Sequence, residues 1–207
     1  MAFPRGPVAD MTGFSMVELI ITMLIALILL RIGLPAFGDW MGNLQIRASA
    51  EGVLNGLGVA RSEALKRNAR VMFSMAGAEG GTTAWTVCRV ADGGTTCADG
   101  GTIQERDGGE ESGRARAGAT TNAALTAPDA FATALTPGDG FPAQVIFDGR
   151  GRPLVAAGWS NTVRIDLRNA GMADGDERRL SVVISPSGSA RLCDPGLASD
   201  SGDPRVC

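Results

Sequence analysis

From Phe14 to Leu30 almost every position is apolar, and only Ser15, Glu18 and Thr22 interrupt the run. Arg31 follows, and then IGLPAF. As a helix, Phe14 to Phe37 would be roughly 36 Å long, enough to cross a bilayer with the Arg31 head snorkelling to one side. A secretory signal peptide fits less well. The preceding segment carries only Arg5, the run is long, and IGLPAFGDW follows it in place of a small-residue cleavage site. An ordinary anchor explains the length but not Glu18. A carboxylate in hydrocarbon is costly, by ~3 kcal/mol or more, and no basic residue lies within one turn of it. Its partner would then be an amine from outside the helix. A cut after Gly13 would create one, as the new α-amino group of Phe14, four residues from Glu18 or facing the Glu18 of a neighbouring copy.

The pattern changes after Pro35, which lacks an amide proton and predicts a kink near Arg31 to Pro35. Over residues 38–69, Ile46, Ala50, Val53, Leu57, Ala60 and Ala64 recur at steps of four and three. Leu54 and Leu65 widen this stripe. The spacing predicts an amphipathic helix laid on a sheet and ending near Asn68. Gly52 and Gly56 make a GxxxG spacing inside it, which we read as close packing on the chain's own sheet, because the stretch is not an apolar span. Short runs of β character follow at 70–75, 84–90, 143–148, 152–157, 162–167, 180–185 and 189–193. AEGG, DGRG and SPSG separate them, and DGRG reads as a hairpin turn. Residues 107–140 are rich in Gly, Ala, Thr and charge, and predict a long flexible loop with one short strand. The expected fold is α+β: a long N-terminal helix on an antiparallel sheet within a globular domain at 70–207.

Composition narrows the function. The chain has 19 basic and 22 acidic residues for a net charge of −3, too near neutral for bulk attraction to nucleic acid. It has no His and no Tyr, so the commonest general base and metal ligand are missing. No phosphate-binding loop, nucleophile elbow or paired catalytic constellation occurs, and Ser187 in SPSG has no histidine to activate it. We therefore expect no enzyme, no cofactor and no metal. Cys88, Cys97, Cys193 and Cys207 fit no zinc spacing. Four cysteines allow three pairings, and short loops favour Cys88–Cys97 and Cys193–Cys207, in an oxidising compartment such as a periplasm.

GFSMVELIITMLIALILL, residues 13–30, resembles the N-terminus of type IV pilins and type II secretion pseudopilins. The resemblance implies a leader at 1–13, removed by a prepilin peptidase that cuts between Gly13 and Phe14 and methylates the new terminus. It also implies a transmembrane segment at 14–37, an assembly role for Glu18 and a helix-softening Pro35. SM stands where the family has TL, and Thr12 where it has a basic residue. ARSEALKRNARV at 60–71, VIFDGRG and VVISPSG resemble the GspH/FimT group of minor pilins and pseudopilins. On that resemblance the chain would be a single-pass protein of the bacterial inner membrane with a periplasmic domain. Its partners would be inner-membrane lipid, prepilin peptidase and other major and minor pilins or pseudopilins. Its place would be the tip or priming complex of a type IV pilus, with a type II secretion pseudopilus as the alternative.

Three further sites were weighed. Some FimT-type proteins bind DNA through a GRxR turn. Here GSAR stands at 188–191, leaving Arg191 and, through a Cys193–Cys207 bridge, Arg205 as the candidate DNA contacts. Two arginines offer few phosphate contacts, which weighs against DNA as a partner. GMADGDERR gathers Asp174, Asp176 and Glu177, but lacks the length and terminal Glu of a calcium loop, so a polar turn is the better reading. Trp85 and Trp159 read as core residues, and Trp40, just past the anchor, as a membrane-interface residue.

Overall fold

A computed structural model describes residues 13, 15–76, 80–108, 113–121, 130–154, 161–169, 171–172 and 176–207, apart from the side chains of 35 and 36. One helix, α1 (Met16–Arg67), runs unbroken through position 35. Ser15 caps its start. The Glu18 amide donates to the Ser15 hydroxyl at 3.2 Å, and the Leu19 amide to the Ser15 carbonyl at 3.2 Å. The chain divides into two compact units, Met1–Gly38 and Asp39–Cys207.

In the first unit every described side chain of the helix is exposed. Its apolar stretch, with a mean hydropathy of 2.5, has the length and composition of a membrane span. In the second unit the same helix buries a stripe. Ile46, Ala50, Val53, Leu57, Ala60 and Ala64 are all essentially inaccessible. Leu54 packs at the margin, whereas Leu65, expected to widen the stripe, is half-exposed although Ala64 beside it is buried; one step along the helix turns its side chain about 100° from the core-facing line.

Eight strands follow: β1 (Val71–Met75), β2 (Trp85–Val90), β3 (Cys97–Arg106), β4 (Ala115–Thr120), β5 (Ala143–Phe147), β6 (Arg164–Asn169), β7 (Leu180–Ile184) and β8 (Ala190–Cys193). They form two four-stranded sheets, β3-β2-β1-β5 and β4-β6-β7-β8, where the sequence pattern suggested one. Every pairing is antiparallel. One core joins both sheets to the helix stripe. It runs from Phe73, Trp85 and Phe147 through Ile165, Leu167 and Val182.

Two strand expectations change and a third is met. β3 is polar and mostly exposed, so it carries no apolar alternation; as an edge strand it needs none. Of the run expected at 152–157, Pro153 makes only an isolated bridge to Phe147, having no amide to donate, and 155–160 lie outside the described residues. Within residues 107–140, the one short strand expected there is β4, and its packing is close. Ala115, Ala117 and Ala119 of β4 are buried, and a Cβ on Gly118 would lie 2.4 Å from the Thr136 carbonyl oxygen. The small residues that suggested a loop are what this close approach requires.

Candidate functional site

The first candidate surface is the apolar half of α1. Glu18 occupies the third helical position, where an acidic residue also complements the helix dipole. Ser15-x-x-Glu18 is thus a capping-box spacing, a signal the sequence reading passed over. The carboxylate itself is exposed and has no hydrogen bond or ion pair among the described residues. Gly13 is exposed and precedes the helix, with open space where a Cβ would stand. Phe14, the other cleavage residue, lies outside the described residues.

At the far end of the helix the three motifs at 60–71, 148–151 and 185–188 meet. Asn68 takes a left-handed conformation (φ 47°) just past Arg67. Its amide donates to the Leu65 carbonyl at 3.4 Å, and the Ala69 amide to Ala64 at 3.3 Å, which is the Schellman pattern. Arg61 reaches from the helix to two turns, donating to the Gly151 carbonyl at 3.1 Å and the Ser187 carbonyl at 3.4 Å. The Asp148 carboxylate accepts the amides of Arg150 and Arg152, both at 2.9 Å, and so shapes the DGRG turn. A Cβ on Gly149 would lie 2.5 Å from the Asn68 side-chain oxygen, and one on Gly188 2.1 Å from the Gly151 carbonyl. These motif residues build a joint between helix end and turns.

The structure joins Cys88 to Cys97 and Cys193 to Cys207. The second bridge closes the tail against β8, and Arg191 is part of that closure. Its guanidinium donates to the Val206 and Cys207 carbonyls, both at 3.0 Å. Arg205 pairs with Asp203 at 2.7 Å, and that pairing lowers the Asp203 pKa to about 2. Both arginines named for DNA contact are thus engaged within the chain. In the 171–179 turn, Asp174 lies outside the described residues. Glu177 is held by Arg168 and by the Asn169 amide, so its oxygens are occupied. Trp85 is buried, with its ring centroid 6.0 Å from that of Phe73; Trp159 lies outside the described residues.

The largest polar constellation is one the sequence reading missed. Asp166 is fully buried on β6. Its carboxylate accepts from Arg164 at 2.5 and 2.7 Å, Ser181 at 2.6 Å, the Leu135 amide at 3.0 Å and Arg179 at 3.3 Å. Arg164 also donates to the Ala130 and Thr133 carbonyls and lies over the Phe131 ring, 4.7 Å from its centroid. Arg179 donates to the Phe131 carbonyl. Burial pushes the Arg179 guanidinium below its usual range. The cluster is saturated by the chain itself and pins residues 130–135 to the second sheet.

Together these features define a class. A long helix, apolar and exposed in its first half, lies in its second half on antiparallel sheets, in a pilin-like α+β protein. The family described as "Type II transport protein GspH" matches residues 49–188, and the chain belongs to that family. It is accordingly a minor pilin or pseudopilin, a structural subunit of a type II secretion system or a type IV pilus and not an enzyme. Members assemble with other pilins, and the apolar helix is consistent with a pilin's membrane anchor. Two crystal structures of the Pseudomonas aeruginosa type IV minor pilin FimU are similar at 16% identity. The first covers 71% of this chain and 87% of that one, with a TM-score of 0.45. The second covers 70% and 90%, with a TM-score of 0.42. No curated protein matches the chain.

Proposed function

We propose that the chain is a FimT-like minor type IV pilin that joins the tip or priming complex and supports pilus biogenesis. In this reading it waits as a single-pass inner-membrane protein with its second unit in the periplasm. Prepilin peptidase removes residues 1–13 and methylates Phe14. The apolar half of α1 then leaves lipid for the helix bundle of the fibre, and Pro35, lacking an amide, gives it a point at which to bend. The observation that carries the reading is Glu18, a carboxylate in an exposed apolar helix with no partner among the described residues. Assembly supplies the partner, in the form of the N-terminal amine of a neighbouring subunit.

The test replaces Glu18 with Leu and measures cleavage by intact mass and incorporation by the amount of chain in sheared fibres. The expected result is a mature chain starting at Phe14 that enters fibres at least about tenfold less well. Equal incorporation of the Leu variant ends the pairing account, and a parent chain that still starts at Met1 ends the processing account. The family description favours a second reading, a type II secretion pseudopilin. Deletion separates the two, since loss of surface fibres supports the pilus and loss of secreted proteins with fibres intact supports the pseudopilus.

A further inference from the structure

Within the second unit, the end of the helix opposite Asp39 gathers cations well beyond what capping a helix needs. Lys66 and Arg67 close the last turn of α1, where the helix dipole favours them. Both already share Glu63, at 3.0 and 2.8 Å. Arg70 follows the cap, and Arg89 stands on the neighbouring strand opposite Val71. The turn carrying Arg150 and Arg152 closes on the same end, because Gly149 abuts Asn68. Besides Arg61, which is tied to two carbonyls, six cations thus gather with three carboxylates, Glu63, Asp92 and Asp148, among the described residues at one end of a chain whose net charge is −3.

Arg70 and Arg89 line one groove of about 500 Å³ together with Asn68, Gly149, Asp92 and Asp148. Both arginines are exposed, and neither guanidinium has a hydrogen bond or ion pair among the described residues. This sets them apart from Arg61, Arg164, Arg191 and Arg205, each of which is tied to a carbonyl or a carboxylate. A guanidinium fork matches a carboxylate bidentately, and two forks on one groove fit two carboxylates on one segment.

We infer that this groove is a docking surface for an acidic protein segment, whose carboxylates pair with Arg70 and Arg89. A protein is favoured over nucleic acid by Asp92 and Asp148, which stand in the groove wall. A run of phosphates would meet both as like charges, whereas a protein segment can set a donor against each. The inference goes beyond the assembly reading and does not depend on it, because the assay below reads the groove alone.

The full chain, held in nanodiscs of zwitterionic lipid, is titrated with a fluorescein-labelled decapeptide of alternating glutamate and glutamine, which offers side-chain donors beside its carboxylates, at low salt and followed by anisotropy. The expected result is saturable binding that weakens with added salt. The double reversal Arg70→Glu, Arg89→Glu should weaken it at least about tenfold, and the same change at Arg178 should leave it unaltered. Arg70→Gln with Arg89→Gln, a milder change at two exposed positions, should fall between parent and reversal at unchanged melting temperature. No binding by the parent overturns the inference, as does binding that the double reversal leaves intact. Tighter binding of duplex DNA through the same two arginines also overturns it and makes the groove a nucleic-acid surface.

Discussion

The chain holds two acidic residues in apolar surroundings, and they are treated in opposite ways. Asp166 lies at the centre of the folded domain and accepts hydrogen bonds from Arg164, Arg179, Ser181 and the Leu135 amide. Glu18 lies in the apolar half of the helix, and its carboxylate accepts no hydrogen bond and pairs with no cation among the described residues. Both would be expensive if left alone in a medium of low polarity. One is satisfied within the chain, so its work is finished when the domain folds. The other has no partner among the described residues, and in the function proposed above a second molecule supplies it. The proposed function rests on this contrast, between an acidic residue satisfied by folding and one that the described chain leaves without a partner.

The largest effect should come from breaking the satisfied site. Asp166→Ala leaves Arg164 and Arg179 buried without their counter-charge, and removing one member of a buried ion pair costs about 3–5 kcal/mol. Chemical denaturation of the full chain in detergent should show that loss. Proteolysis should show the 130–135 segment released first, since its carbonyls and the Leu135 amide are held by this cluster. Glu18→Leu is the opposing control. It should leave the denaturation midpoint of the second unit where it was, because no described contact of that carboxylate contributes to folding. A destabilisation shared by both variants would erase the distinction between them.

The middle of the range tests the packed half of the helix against itself. A Cβ on Gly56 would lie 2.7 Å from Phe73 and 3.0 Å from Trp85, while one on Gly58 would meet nothing within 4 Å. Ala is favoured over Gly in a helix interior by up to ~1 kcal/mol at either site. At Gly56 that gain is outweighed by overpacking of about 1–3 kcal/mol against two core rings. Gly58→Ala should therefore raise the denaturation midpoint, and Gly56→Ala should lower it. The same contrast explains the GxxxG spacing. Gly52 and Gly56 let Arg106, Phe73 and Trp85 approach the helix, and both face the chain's own first sheet.

Much of this was legible in the sequence, and the failures share a cause. The apolar run, the helical stripe and most strands show because burial repeats at the period of the element. β3 was hidden, and β4 showed only as one unplaced short strand within 107–140, because neither needs large apolar residues. One is an exposed edge, and the other is an Ala- and Gly-rich strand under a close crossing. The Asp166 cluster was readable in part. TVRIDL places Arg164 and Asp166 two residues apart, hence on one face of a strand, between residues that are otherwise apolar. What the sequence withheld was Arg179, Ser181 and the 130–135 segment, which only the fold brings to that face. Ser15 and Glu18 spelled a helix start that the length of the apolar run obscured. Arg191 read as a candidate contact because carbonyl partners leave no mark in a side-chain pattern, whereas the partner of Arg205, Asp203, stands two residues away.

The smallest effect concerns that tail, and it turns on the sign of one pKa shift. The side-chain pairing with Arg205, followed by the Arg205 amide, holds the Asp203 carboxyl at about 2. This is below the ordinary range for an aspartate, roughly 4 in an unfolded chain. A depressed folded value means that the contribution of the pair is complete above the unfolded value and is lost as pH falls through the folded one. Between about pH 4 and pH 2 the tail should therefore loosen from Asp203 outward while the Cys193–Cys207 bridge keeps it attached. Carboxyl-detected NMR of the full chain should place the Asp203 midpoint well below the ordinary range for an aspartate. Arg205→Gln should return it to the ordinary range and leave the 3.0 Å contacts of Arg191 to the last two carbonyls in place. The pair lies at the surface, with Arg205 exposed and Asp203 partly covered, so solvent screens it and the change in overall stability should be too small to move the denaturation midpoint. A midpoint near 4 for the parent would show that solvent screens this pair completely, and would leave Asp166 as the one carboxylate in the comparison whose partners shift the balance of folding.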